Sequence, residues 1–463
     1  MAAIACPLMR RLRAFAGFCA AAFALAVIAP AAADARTEIF KLRSAPVALA
    51  GFQVKFPKVS VPTPRRSGYI TRMDAWLVDE HGRRMSIREV MLHHIVFINR
   101  GKPGTVAKHS SCPGRGSEPF WGTGEEKQPM KLPLGYGYRI GAHDRWRMQT
   151  MIMSHSLTAH VVRVVYTVRM VIGATLQRVK PLWLRANGCS GQPSYDIEGD
   201  QPPGTIHSKQ SMWRMPISGR IVAASGHLHG SSYGLTVKQP RCDERTLIDQ
   251  KPLYGLSDDL VYSARPMLHE PGPIATGMFL SQTGIPIRKG EILRVTGLYD
   301  ASRPHARVMA ITHLYVAADR AASRRCDPLP RDAHIFWTRK DGRTNPPVID
   351  LPLNGIGADG MVHEIPRPPG EVRILSSPAA MVQLTTERFL PANLSVARGT
   401  QVVWRFNDLE PHNVMLASGP RHIASNTLGR GSRFVKTLDT PGTYKLFCYL
   451  HPITMTQVID VRP

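Results

Sequence analysis

Chain breakers set the first limit on this fold. Gly and Pro number 38 each in 463 residues, and the hydrophobic runs between them are short and lack sustained helical periodicity. Both residues are costly inside helices and common in turns, so the pattern predicts strands joined by tight connections. The fold class expected is all-β. A hydrophobic content of 43% with 20% charged residues is enough to build real cores. At ~150 residues per domain the length suggests about three domains. The apolar run nearest membrane-spanning length lies at the extreme N-terminus, which argues against a multi-pass membrane protein.

That N-terminal run reads as an export signal over residues 1–35. Arg10, Arg11 and Arg13 precede an Ala-rich apolar stretch from Phe15 to Ile28, and APAAADA offers cleavage after Ala33 or Ala35. The Arg10-Arg11 pair hints at twin-arginine export, although its flanks match poorly. The mature chain is expected to be periplasmic or secreted, without a stable membrane span. Cysteine usage agrees. Cys6 and Cys19 leave with the signal, and the simplest pairing of the next four is Cys112–Cys189 and Cys242–Cys326, with the two other pairings open. Cys448 is left over and needs another explanation.

Residues 379–463 supply one. In QVVWRF, Val402, Trp404 and Phe406 alternate with polar or smaller neighbours, as in a half-buried strand. DTPGTY is a turn into a second strand, where Tyr444, Leu446 and Cys448 share one face. The thiol therefore points toward the core. His451 and Met455 follow in CYLHPITM, and His412 lies upstream in EPHNVML. One thiolate, two imidazoles and a thioether are the donor set of a blue-copper site, with methionine as a weak axial ligand.

NDLEPHNV followed by FCYLHPITM resembles the cupredoxins, the plastocyanin and azurin type of Greek-key β-sandwich. The resemblance implies a type 1 copper held by His412, Cys448, His451 and Met455, with an electron-transfer role. Many relatives carry the methionine one residue earlier, where this chain has Thr454.

The middle of the chain is rich in histidine. Four clusters stand out: His93 and His94 in MLHHIVFIN, His155 after a methionine-rich run, His227 and His229 in GHLHG, and Met309 in HARVMAITHLYV. His227 and His229 are i and i+2, so one strand would project both to the same face. His93 and His94 are neighbours and could serve one ion only at a bulge or a strand end. A thioether beside two imidazoles favours copper, Cu(I) especially.

Together these clusters, over roughly residues 85 to 318, resemble the copper type II, ascorbate-dependent monooxygenases, the peptidylglycine and dopamine β-hydroxylating group, and the related stress-upregulated nodulin family. The resemblance implies two jelly-roll-like β-sandwiches, 36–195 and 196–330, with two mononuclear coppers facing across a cleft. His93, His94 and His155 would hold the electron-donating copper. His227, His229 and Met309 would hold the oxygen-binding, catalytic one. His305 and His313 read as solvated or satisfied polar residues near Met309. His109, His143, His160, His207, His269, His334, His363 and His422 read as surface or loop residues.

Residues 331–378 form a Pro/Gly-rich strap or linker, whose apolar residues suggest packing on the body rather than a free tether. No P-loop, dinucleotide fingerprint or Gly-x-Ser-x-Gly elbow is present. The net charge of +25 favours an acidic partner, an anionic membrane face or nucleic acid, without identifying which. Its basic residues are scattered, not clustered with stacking aromatics, which argues against nucleic acid. The function expected is an exported multi-copper protein that hydroxylates a small organic substrate with O2, drawing on a redox donor, with a blue-copper domain for electron transfer. The alternative is a non-catalytic electron-transfer or copper-handling protein.

Overall fold

The computed structural model describes residues 35–101, 118–189, 192–319 and 326–463. The expected leader up to residue 34, Cys112 and His109 lie outside them, and with Cys112 the first expected disulfide. The regular structure of the described chain is nearly all strand. Its one α-helix among the described residues is the four-residue turn Leu260–Ser263, capped by Asp259. No helix there is long and apolar enough to cross a membrane.

An eleven-stranded sheet runs through the middle of the protein. Its central join is the antiparallel pair Gln177–Arg185 and Ala310–Ala318, in register from Val179 opposite Ala317 to Arg185 opposite Ile311. A five-stranded sheet containing Val90–Asn99, Trp146–Ser154 and Glu118–Thr123 faces one part of it. A four-stranded sheet containing Ile292–Asp300 and Ser232–Gln239 faces another. The first interface is filled by aromatics, with Phe97 stacked on Trp121 at 5.3 Å between centroids. Such pairs add about 0.5–1.5 kcal/mol beyond area burial. The second is aliphatic, built on Leu235, Val237, Leu293, Val295 and Leu314.

The Cys242–Cys326 disulfide is formed and spans 84 residues. A cross-link of this kind stabilises by about 2–4 kcal/mol.

The C-terminal region is a separate two-sheet sandwich. Ala379–Thr385 runs parallel to Thr400–Phe406 in one sheet, and Asn393–Ala397 runs parallel to His451–Arg462 in the other. Val402, Trp404 and Phe406 are buried, as their alternation predicts, and the Trp404 indole donates to Gln457 Oε1 at 2.8 Å. Tyr444, Leu446 and Cys448 likewise turn inward.

This sandwich is seated on the middle region. Ile453 packs with Val54, Met91, Met153 and Leu268. Leu351 and Leu353 join Met415, Phe447 and Val458 in another apolar cluster, so that part of the expected strap lies against the sandwich. Its start, His334–Phe336, pairs instead with residues 278–280 in the eleven-stranded sheet. Each fully buried aliphatic side chain contributes about 1.5–3 kcal/mol.

Candidate metal centres

The strand Gly442–Cys448 ends at the thiol, and the chain turns at once into His451–Arg462. That turn brings Cys448 and His451 together, while His412 enters from the loop before Met415–Ser418. Cys448 Sγ lies 3.9 Å from Nδ1 of His412 and 3.9 Å from Nδ1 of His451, and the two nitrogens are 3.2 Å apart. A point about 2.1 Å from all three atoms lies within this triangle, the length of a metal–imidazole bond. Asp408 Oδ2 sits 3.0 Å from Nε2 of His412 and orients that ring. The Asn413 N–H donates to Sγ at 3.5 Å. Burial pushes the thiol's pKa up, so a thiolate here calls for a bound cation. The donor set fits copper.

Met455 is fully buried in the core that contains Cys448. Thr454 is exposed, its hydroxyl donating to Glu387 Oε2 at 3.4 Å. Strand alternation thus puts position 455, not 454, on the inner side.

The histidines of the middle region meet in one place. His93 and His94 lie in Val90–Asn99 where the pairing with Trp146–Ser154 slips. Met151 faces His94 and Ile152 faces Leu92, which leaves His93 as the extra residue. The bulge lets adjacent side chains converge, with Nδ1 of His93 3.3 Å from Nδ1 of His94. His227 is the penultimate residue of the strand Gly219–Leu228, and His229 lies just beyond its end, their rings 5.2 Å apart. The ring of His93 is 5.7 Å from that of His229. The two expected ligand groups therefore adjoin in a single cluster.

His155 follows the strand Trp146–Ser154. Its ring is 6.2 Å from that of His269, and neither of its nitrogens has a hydrogen-bond partner among the described residues. Met309 precedes the strand Ala310–Ala318 rather than lying in it. It reaches the cluster through Tyr299, whose hydroxyl donates to the Met309 carbonyl and accepts from the His229 N–H at 3.0 Å.

Burial governs the charge of this cluster. It holds His94 and His155 down to about 3 and pushes His93 and His229 well below the usual imidazole range. These rings are neutral at pH 7, the form that binds metal. His227 differs. Burial opposes its charge, but the Glu126 carboxylate 3.2 Å away outweighs that and raises its pKa. The approach requires Gly124, where a Cβ would lie 2.4 Å from His227 Cε1.

Two assignments need correction. His269 and His422, read as surface or loop residues, sit in loops but are largely buried. His422 is 5% exposed, its Nε2 3.3 Å from Asp196 Oδ1. His269 belongs to the cluster, its Nε2 3.1 Å from Glu125 Oε1. Loops folded between packed sheets lose their solvent, a contact no local pattern reveals. His305 and His313, read as solvated or satisfied, are buried and only partly paired. His305 Nδ1 is 2.8 Å from Glu270 Oε2, but its Nε2 has no hydrogen-bond partner among the described residues. His313 lies against Trp183 at 3.8 Å between centroids, with its Nδ1 likewise unpartnered there.

Sequence reasoning also missed Glu125 and Glu126. They occupy the turn after Glu118–Thr123, whose pairing with Val90–Asn99 ends at Ile95 opposite Thr123, beside the bulge. The signal available was a Glu-Glu pair following GTG at the end of an aromatic strand.

A cavity of about 390 Å³ opens between the two regions. His93, His229, His269 and Met309 line one wall, and Phe447 and Tyr449 the other. The Tyr449 hydroxyl reaches Met151 Sδ at 3.7 Å.

Residues 380–462 match the family of copper binding proteins of the plastocyanin/azurin type. Among solved structures, a novel purple cupredoxin from Nitrosopumilus maritimus is 26% identical over 18% of this chain and 99% of its own, with a TM-score of 0.17. A Cu(I) amicyanin variant is 23% identical over 18% of this chain and 83% of its own, also with a TM-score of 0.17. A comparison with curated proteins finds no match to the chain.

Proposed function

With residues 380–462 a cupredoxin domain, we propose that this chain is an exported multi-copper oxidoreductase. Its blue-copper centre exchanges electrons with metal held in the histidine cluster, where O2 hydroxylates a small organic substrate. The observation that carries this reading is the shared cavity. One wall is a cluster of buried imidazoles with Met309, and the other is Tyr449, the residue after the ligand Cys448. Cys448, Tyr449 and Met151, which faces His94 across the strand pair, form a nearly continuous covalent and van der Waals route.

Copper bound by these side chains would supply one-electron storage and O2 reactivity. The residues themselves bind, orient and exclude water. Hydroxylation puts one oxygen atom into a C–H bond and releases the other as water, consuming two electrons and two protons from a donor. The blue centre is placed to relay those electrons singly. Leu268, Met151 and Phe56 keep the cavity wall partly apolar, which suits a small organic substrate. The Cys242–Cys326 disulfide supports an oxidising compartment.

The contact between Nδ1 of His227 and the Glu126 carboxylate, 3.2 Å apart, favours the other reading, a non-catalytic electron-transfer or copper-handling protein, because a carboxylate already engages that nitrogen. One experiment separates the two. Copper-loaded protein with reductant and a broad substrate panel should consume O2, and His227→Ala should abolish that while sparing the blue absorption. Wild-type protein that consumes none, or a variant with unchanged consumption, sinks the oxygenase reading.

A further inference from the structure

The histidine pairing expected from the chain's order differs from the one that geometry favours. His93 turns Nδ1 toward His94 but Nε2 toward Glu125, whose Oε1 lies 3.3 Å away. The same oxygen is 3.1 Å from Nε2 of His269. The other carboxylate oxygen accepts the Gly272 N–H at 3.0 Å, fixing both the carboxylate and the loop that carries His269. Donor atoms of these three residues all lie within 4.8 Å of one another. The Glu125 side chain is 7% exposed and that of His93 8%. His269 Nδ1 and both nitrogens of His155 are buried without a hydrogen-bond partner among the described residues.

We propose that His93, His269 and Glu125 form a metal site of their own, with His155 beside it as a further donor, while His94 groups with His227 and His229. The proposal rests on the reading of the cluster as metal-binding but not on any oxygen chemistry. A carboxylate makes this set harder than the all-imidazole or imidazole–thioether sets, so it suits a divalent first-row ion. Cu2+ is the strongest binder in that series, with Zn2+ as a competitor. The carboxylate's charge favours the divalent over the monovalent state of copper. The ion held here would therefore be the harder of the two to reduce, and one held by His94, His227 and His229 the easier. A carboxylate shared by two imidazole N–H donors would make many of the same contacts without metal, so the metal count decides.

Full-length protein is stripped by chelation and titrated with Cu2+ alone, with metal analysis and EPR as readouts. The blue absorption of the C-terminal centre reports folding. Glu125→Gln and His269→Gln should each lose one copper per chain, or weaken its binding at least tenfold, with the blue band intact. A His94→Gln protein should keep that ion's EPR signal. Wild-type copper content and EPR in both Glu125→Gln and His269→Gln overturn the proposal, as does loss of the signal in His94→Gln alone. A wild type that holds only the blue copper overturns it together with the multi-copper reading. Full binding without O2 consumption would leave this site standing and remove only the oxygenase function.

Discussion

The C-terminal donor triangle and the histidine cluster of the middle region are assembled in opposite ways. In the C-terminal sandwich Cys448 and His451 come from a single turn and His412 from one neighbouring loop, and three donor atoms already form a closed triangle. In the middle region the donors arrive from a bulged strand, a strand end and separate loops, spread from His93 to His269, with two carboxylates among them. The compact site is defined by chain-local geometry. The dispersed one is defined by how sheets and loops pack, so it has more ways to be rearranged by substitution.

The sharpest way to test this contrast is Cys448→Ser. It should abolish the intense visible thiolate-to-copper band completely while leaving copper in the middle cluster, as absorption and metal analysis of the same sample would tell. Loss of all copper would mean that the two regions are not independent.

A second test uses pH. His305 is buried, which disfavours its charge, and Arg303 also opposes it, but Glu270 and Asp300 outweigh both and raise its pKa to about 9. A folded value above the ordinary 6.5 means that the stabilisation is complete below about pH 6.5. It fades as pH rises through 9. The loss is about 3 kcal/mol at most. Thermal unfolding of the middle region should shift down between pH 6 and pH 9.5, and His305→Gln should flatten that dependence. Equal pH slopes in wild type and variant would rule the ion pair out as the cause.

The smallest effect expected is that of Gly124→Ala. Crowding at the His227 ring costs about 1–3 kcal/mol, less about 0.4–1 kcal/mol from a stiffer unfolded chain. It should disturb copper EPR in the middle cluster and leave the blue band unchanged. A change in the blue band instead would show that the regions are coupled through the cavity.

The same contrast explains what could be read from the residues alone. Strand alternation located Val402, Trp404, Tyr444 and Cys448 on inward faces because period two is a local property of the backbone. For His93 and His94 to serve one ion, a bulge or a strand end was needed, and the register slips there. His269 was illegible because LHEPGP has the composition of an ordinary exposed loop. Its burial depends on Glu125, 144 residues earlier. Likewise, neither spacing nor residue type distinguishes a single histidine cluster from two separated ones. That depends on how the sheets holding Val90–Asn99 and Gly219–Leu228 meet.

Ile453 and Tyr449 anchor the C-terminal sandwich against Met91, Met151 and Phe56. Under the proposed relay, an electron leaving Cys448 toward the cavity would have no bimolecular encounter to await. That step should be first order in protein, indifferent to dilution and little altered by ionic strength. Only delivery from outside would follow collision kinetics.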